Sequence, residues 1–87
     1  MEVTIVSALW CPSCLVLKKH IKRLNKEYDI NIRTLDYDFD EEIVKELNVG
    51  KVLPVIIVND GDNEINRLIG EKTYDEIIEF LKDCNVL

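Results

Sequence analysis

Two spacings of apolar residues appear along the first half of the chain, and each predicts a different element. Val3 to Ala8 is rich in β-branched residues, which predicts a short strand. From Pro12 onward, apolar residues recur at steps of three and four, which predicts a helix with its basic residues on the opposite side. The predicted apolar stripe of this helix is Cys14, Leu17, Ile21, Leu24 and Tyr28. Ile30 to Leu35 returns to alternation and predicts a second strand.

A short second helix is predicted next. Asp40 stands where a helix cap is needed, and the acidic residues that follow it suit the positive end of the helix dipole. Gly50 and Lys51 are expected to end this helix. The residues expected to face inward are Ile43, Val44 and Leu47.

The last third of the chain predicts a hairpin followed by a helix. The run LPVIIV is apolar without interruption, so we expect a strand that is covered on both faces. The turn NDGDN then leads into Glu64 to Ile69 as the other arm. Thr73 and Glu76 fit a capping box at the start of the last helix. The predicted buried side of that helix is Ile77, Ile78, Leu81 and Cys84.

This order of elements, βαβαββα, predicts an α/β fold. The first two strands are joined through a helix and should be parallel, whereas the last two form an antiparallel hairpin. A mixed four-stranded sheet with helices on both faces satisfies both conditions. We therefore expect a three-layer sandwich that forms one domain over residues 1–87.

Composition and charge narrow the classes of function. The net charge of −6 argues against nucleic acid as a partner, because phosphate would be repelled over most of the surface. No apolar run is long enough to span a membrane. The start of the chain has neither a basic segment nor a cleavage pattern, so we expect no signal peptide and a cytoplasmic location.

The candidate chemistry lies in WCPSC, where Cys11 falls at the end of the first strand and Cys14 in the first turn of the helix. Pro12 suits the first helical position, since its missing N–H would be unpaired there anyway. Cys11 then faces free backbone N–H groups at a helix N-terminus, which favour thiolate, the attacking form. Cys14 should be more shielded, so the asymmetry suits an attacking sulfur and a resolving one. Trp10 is expected to shape a docking surface beside the exposed sulfur.

Other uses of the cysteines are less well supported. A structural disulfide closing so short a loop would constrain the unfolded chain little. A zinc site needs four ligands, and neither Cys84 nor His20 is placed to converge on the pair. We expect Cys84 to be a small core residue and His20 a surface residue, with no metal or organic cofactor. A metal or cluster shared between two chains stays open as an alternative.

WCPSC after a strand, VLPVIIV about forty residues later and the final RLIG resemble the thioredoxin superfamily over essentially the whole chain. The resemblance implies that Pro54 follows a cis bond and faces the cysteines. It implies that the backbone of Leu53 pairs with an extended substrate and that Gly70 borders the same surface. Pro12 and Ser13 would tune the redox poise.

The resemblance is incomplete in ways that matter for function. The buried acid that thioredoxins carry on the strand before the motif is replaced by Ile5, and we expect no extra strand and helix ahead of that strand. The size is that of a glutaredoxin, but Ala8 stands where a basic residue is usual. Gly70 is followed by Glu71, whose carboxylate would disfavour glutathione.

We therefore expect a thiol–disulfide oxidoreductase that cycles Cys11 and Cys14 between dithiol and disulfide. Its expected partners are proteins that contain disulfides and a thioredoxin reductase or similar reductant, and we expect a monomer. The alternatives are a glutathione-dependent glutaredoxin and a non-enzymatic module that binds a metal or cluster between subunits.

Overall fold

A mixed four-stranded sheet lies at the centre of the computed structural model, which describes residues 1–87. The strands are β1 Glu2–Ser7, β2 Ile32–Asp36, β3 Val55–Asp60 and β4 Asn63–Ile69, and the helices are α1 Pro12–Glu27, α2 Glu41–Glu46 and α3 Tyr74–Asp83. The strand order is β2-β1-β3-β4, with β1 and β2 parallel and the other pairs antiparallel. The predicted class, element order and strand directions are confirmed, although β2 begins at Ile32 rather than at Ile30.

Both faces of the sheet are covered, because successive side chains of a strand point to opposite sides. On one face, Val3, Ile5, Ile56 and Val58 pack with apolar residues of α1 and α3. On the other face, Val6, Val55 and Ile57 pack with Val44 of α2. The uninterrupted apolar run of β3 follows from this arrangement, since this central strand has no solvent face.

The first helix packs as its spacing predicts. Cys14, Leu17 and Leu24 are buried, and Ile21 is half-buried against the cluster that contains Leu17 and Leu24. Tyr28 also packs there, but it lies just beyond the helix as its C-cap, in an extended conformation. Pro12 occupies the first turn and Cys11 is the N-cap residue.

The second helix differs from its prediction at three positions. Asp40 is at the N-cap, but its carboxylate accepts a hydrogen bond from the backbone N–H of Asp36 at 2.8 Å and caps no helical N–H. Ile43 is exposed, because a helix of six residues buries only the one side that holds Val44. The helix also ends before Gly50, where Asn48 adopts a left-handed conformation with a φ of 55°.

The last helix begins with the predicted capping box. The Thr73 hydroxyl accepts from the Glu76 N–H at 3.2 Å, and the Glu76 carboxylate accepts from the Thr73 N–H at 3.2 Å. Ile77 and Leu81 are buried as expected, and Ile78 is half-buried. Cys84 is buried at the C-cap, which confirms it as a core residue.

Arg67 of β4 fastens the end of α2 to the sheet. Its guanidinium donates to the carbonyl oxygens of Leu47 at 2.8 Å and Asn48 at 3.4 Å, and it also pairs with Glu64. Carbonyls at the end of a helix lack partners within the helix, so a cation there satisfies them. This contact joins residues far apart in the chain, and the sequence pattern does not reveal it.

None of the three helices combines the length and the apolar character that crossing a bilayer requires.

We expect Leu24→Ala to lower the free energy of unfolding by about 2–5 kcal/mol, because the side chain is only 1% exposed and its loss leaves a cavity. Leu15 lies in the same helix and is 56% exposed, so Leu15→Ala should change stability by less than about 0.5 kcal/mol. Urea denaturation followed by circular dichroism measures both. Equal losses in the two variants would contradict the packing of α1 described above.

Candidate active site

The two cysteines of the motif meet where β1 passes into α1. Cys11 is extended, with φ −95° and ψ 112°, and its N–H donates to the Ala8 carbonyl at 3.2 Å. The backbone N–H of Cys14 donates to the Cys11 sulfur at 3.3 Å. Cys11 therefore caps the helix with its sulfur, in the place where an oxygen usually serves. An N–H pointed at this sulfur stabilises negative charge on it.

Cys14 has a different environment from Cys11. Cys14 is 1% exposed and Cys11 is 6% exposed, and both are free thiols. The expectation of an exposed sulfur at Cys11 is therefore wrong, because Cys11 packs in the apolar cluster with Ala8 and Leu53. The pKa of the Cys14 thiol is raised to about 11, chiefly because the thiol is buried and also because of its hydrogen bond with Cys11. A backbone hydrogen bond from Ala8 and the charge of Lys18 act against this rise. At neutral pH, Cys14 is thus a thiol that the protein keeps protonated.

A cis peptide bond lies in the same buried cluster as the two cysteines. The bond between Leu53 and Pro54 is cis, as the resemblance implied, and Leu53 packs with Cys11 and Cys14 in one apolar cluster. The Pro54 carbonyl accepts a hydrogen bond from the Gly70 N–H at 2.8 Å. Gly70 has a φ of 91°, which glycine adopts without strain. These contacts bring Pro54 and Gly70 together at the cysteine end of the sheet.

The backbone of Leu53 is left unpaired within the protein. Neither its N–H nor its carbonyl takes part in a hydrogen bond, although its side chain is buried. Buried or partly buried backbone groups are nearly always paired with protein or with solvent. The unpaired N–H and carbonyl of Leu53 therefore offer an edge to which an extended peptide can bond.

Trp10 lies on the surface beside Cys11. It is 61% exposed, and its indole N–H donates to the Asp38 carboxylate at 2.8 Å. Its ring also meets the ring of Tyr37 edge-on, with 6.2 Å between centroids. The indole is therefore held in one orientation while its face stays accessible. Sequence reasoning missed Asp38 and Tyr37, because the loop between β2 and α2 approaches Trp10 only in the folded chain.

Further exposed apolar side chains border these residues along the chain. Leu9, Val52 and Ile69 are each about half exposed or more, and they neighbour Trp10, Leu53 and Gly70 respectively. Pro12 is also exposed, and Ser13 is half-buried. The surface around Cys11 is thus mainly apolar, which suits contact with another protein.

The remaining candidates lie elsewhere. His20 is half-buried on α1, with its ring 6.0 Å from that of Tyr74, and Cys84 lies in the core with α3. No group of three or more potential ligand side chains is close enough to hold a metal ion within the chain. The structure therefore brings together Cys11, Cys14, Trp10, Leu53, Pro54 and Gly70, and it does not bring in His20 or Cys84.

The site holds one cysteine at the N-terminus of a helix and a more deeply buried cysteine in the next turn. This arrangement is typical of the class of site suited to dithiol–disulfide exchange. The Thioredoxin family model matches residues 3–83. The chain belongs to the thioredoxin family, whose members are thiol–disulfide oxidoreductases. No curated protein sequence matches the chain.

Solved thioredoxin structures have the same fold. Mitochondrial thioredoxin 3 from Saccharomyces cerevisiae in its oxidised form is 25% identical with a TM-score of 0.81, covering 94% of this chain and 76% of its own. Thioredoxin from Trypanosoma brucei brucei is 22% identical with a TM-score of 0.85, covering 99% and 75%. Thioredoxin f2, in a complex with ferredoxin:thioredoxin reductase, is 20% identical with a TM-score of 0.80, covering 97% and 78%.

We expect a limiting amount of iodoacetamide near neutral pH to modify Cys11 before Cys14 and Cys84. A thiol with a pKa of about 11 has only about one molecule in ten thousand as thiolate at pH 7, and burial also raises the pKa of Cys84. Mass spectrometry of the digested protein measures the order. Modification of Cys14 as early as Cys11 would contradict the asymmetry of the site.

Proposed function

We propose that this protein is a thioredoxin-type oxidoreductase that reduces disulfides of other proteins through a Cys11–Cys14 cycle. The observation that carries the proposal is the different position of the two sulfurs. Cys11 receives a backbone N–H at the rim of the site, whereas Cys14 is buried one turn along the same helix. Attack and resolution require two such unequal groups.

In the proposed cycle, the Cys11 thiolate attacks one sulfur of the substrate disulfide. A bond forms between Cys11 and that sulfur, and the other substrate sulfur leaves and takes up a proton. Cys14 then loses its proton and attacks the Cys11 sulfur, which releases the second substrate thiol. Two electrons have passed to the substrate, and Cys11 and Cys14 are left as a disulfide. The chain's own sulfurs supply the redox chemistry, so no organic cofactor is required.

The substrate segment is proposed to lie along Leu53. Its unpaired N–H and carbonyl would bond to the backbone of the substrate segment, while Trp10 would cover apolar side chains beside the disulfide. Gly70 supports this arrangement through its hydrogen bond to Pro54. Pro12 and Ser13 lie between the sulfurs and would tune the stability of the Cys11 thiolate.

The proposed electron donor is a thioredoxin reductase or a similar protein. Thioredoxin f2, which shares the fold, has been crystallised with ferredoxin:thioredoxin reductase, which supports this class of partner. Glu71 is exposed directly after Gly70, and its carboxylate disfavours binding of the anionic glutathione at that corner. A monomer in the reducing cytoplasm fits this proposal.

We expect the protein to speed the reduction of insulin by dithiothreitol, measured as the turbidity of the released B chain. Cys11→Ser should abolish the acceleration, because no other sulfur lies at the rim of the site. Cys14→Ser should instead accumulate a mixed disulfide that a non-reducing gel or intact-mass measurement detects. Cys84→Ala is the matched control, since it removes a cysteine that lies away from the site.

Three outcomes would contradict this proposal. Full activity in Cys11→Ser would exclude the assigned attacking sulfur. Turnover with glutathione and its reductase, but none with a thioredoxin reductase, would identify a glutaredoxin-type activity instead. Anaerobically purified protein that contains stoichiometric metal as a dimer would point to a shared metal site.

We also expect Trp10→Ala to lower kcat/KM for insulin about tenfold, because a large exposed ring supplies much of the apolar contact. The rate with a small aromatic disulfide should fall much less, since that substrate needs little docking surface. Ile65→Ala is the control, because Ile65 is 47% exposed at the far end of β4. An equal fall for both substrates would place Trp10 in the chemistry and not in docking.

A further inference from the structure

A groove of about 150 Å³ runs between α1 and the β2 side of the sheet. It lies next to the open sheet edge, because β2 is an outer strand with only β1 beside it. Cys14 lines this groove together with Lys18, Lys22, Ser7 and Thr34. Cys14 therefore borders this groove as well as the apolar cluster that it shares with Cys11.

The lining of the groove is polar on its outer side and carries one sign of charge. Lys18 and Lys22 are its only charged residues, and Ser7 and Thr34 add hydroxyl groups from the two strands. Lys18 is four residues after Cys14 in the same helix, so both side chains lie on one face. The groove contains no carboxylate, and Ile5, which stands in place of the buried acid of thioredoxins, forms part of its apolar lining.

The resolving step requires an environment in which the Cys14 thiol can ionise. Cys14 must lose its proton to attack, and burial with the neighbouring Cys11 holds its pKa at about 11. The charged or titratable groups that face it are Cys11 from the cap and Lys18 from α1. Its neighbours from the strands, Ser7 and Thr34, are uncharged, and α2 contributes the apolar Val44 to the cluster. Lys22 also lines the groove but lies two turns from Cys14 along α1, whereas Lys18 lies one turn away and is therefore the lysine better placed to favour the Cys14 thiolate.

We propose that Lys18 is a positioning residue for the resolving step, which favours the Cys14 thiolate electrostatically in a chain that lacks the buried acid. Its ammonium group stabilises the thiolate as it forms, and solvent water reaching the groove takes the proton. The thiolate then bonds to the Cys11 sulfur, and the bond between Cys11 and the substrate breaks. This inference rests on the proposed function, because it concerns the second half of the same cycle.

The first test follows reduction of the oxidised protein by dithiothreitol, with Trp10 fluorescence as the signal. External thiol attacks Cys11, and Cys14 departs as the leaving group, whose departure slows when its thiolate is less stable. We expect Lys18→Met to slow this reaction about threefold near pH 7 and low salt, because solvent screens part of the charge. Lys18→Arg should keep the wild-type rate, since it keeps the charge.

Lys19→Met is the matched control. Lys19 is an exposed lysine next to Lys18 in the same helix, but it does not line the groove. Its variant loses the same net charge, so a general electrostatic effect on the reaction would slow both proteins equally. Only a local effect on Cys14 separates them.

The second test measures the ionisation of the Cys14 thiol without any catalytic turnover. In a Cys11→Ser background, the rate at which iodoacetamide modifies Cys14 is followed against pH by mass spectrometry. We expect adding Lys18→Met to move this profile to higher pH, whereas Lys19→Met leaves it in place. A purely structural role of Lys18 would not move the profile.

The outcomes separate this inference from the proposed function. If Lys18→Met matches Lys19→Met in both tests while the wild type reduces insulin, the role of Lys18 is wrong and the cycle stands. If the wild type neither reduces insulin nor forms the Cys11–Cys14 disulfide, the proposed function fails, and the inference fails with it.

Discussion

The start of α1 is the constraint on which the site depends. The first N–H groups of a helix have no partners within it, and one of them is satisfied here by the Cys11 sulfur at 3.3 Å. This cap is fixed in place because β1, which leads into it, is hydrogen-bonded on both sides and buried along most of its length. The Cys11 sulfur thus gains a defined position from a central, buried strand of the sheet.

The same packing makes the two sulfurs unequal. Cys14 lies on the apolar stripe that holds α1 against the sheet, so the burial that stabilises the helix also raises the pKa of its thiol. Cys11, which precedes the first turn, is also buried, but its sulfur accepts the backbone N–H of Cys14. Stability and reactivity are therefore linked through one helix, since any change that loosens α1 also exposes the resolving thiol to solvent and to oxidation.

The strands and helices could be predicted from the sequence where local signals agree. Fewer of the contacts within the site could be predicted. The apolar run correctly predicts β3, and the capping box at Thr73 correctly predicts the start of α3. Both predictions succeed because the relevant contacts are local or periodic in the sequence. Asp40 was wrong as a side-chain cap, because a competing backbone N–H of Asp36 lies in the same turn. The bonds from Trp10 to Asp38 and from Arg67 to the end of α2 join distant segments, and no spacing rule encodes them.

At the position of Ile5, an apolar side chain suits the core, whereas an acid would suit the chemistry. A carboxylate there would be desolvated between the sheet and α1, and a buried charge without a partner is destabilising. An isoleucine removes that penalty and joins Leu17 and Leu24 in the core, but it offers no group that can exchange a proton with Cys14. β2 is an edge strand of the sheet, and the groove beside it brings Cys14 and Lys18 into one lining without placing any charge inside the core. The apolar core residues and the lysine that we propose for the resolving step therefore lie on one helix, α1.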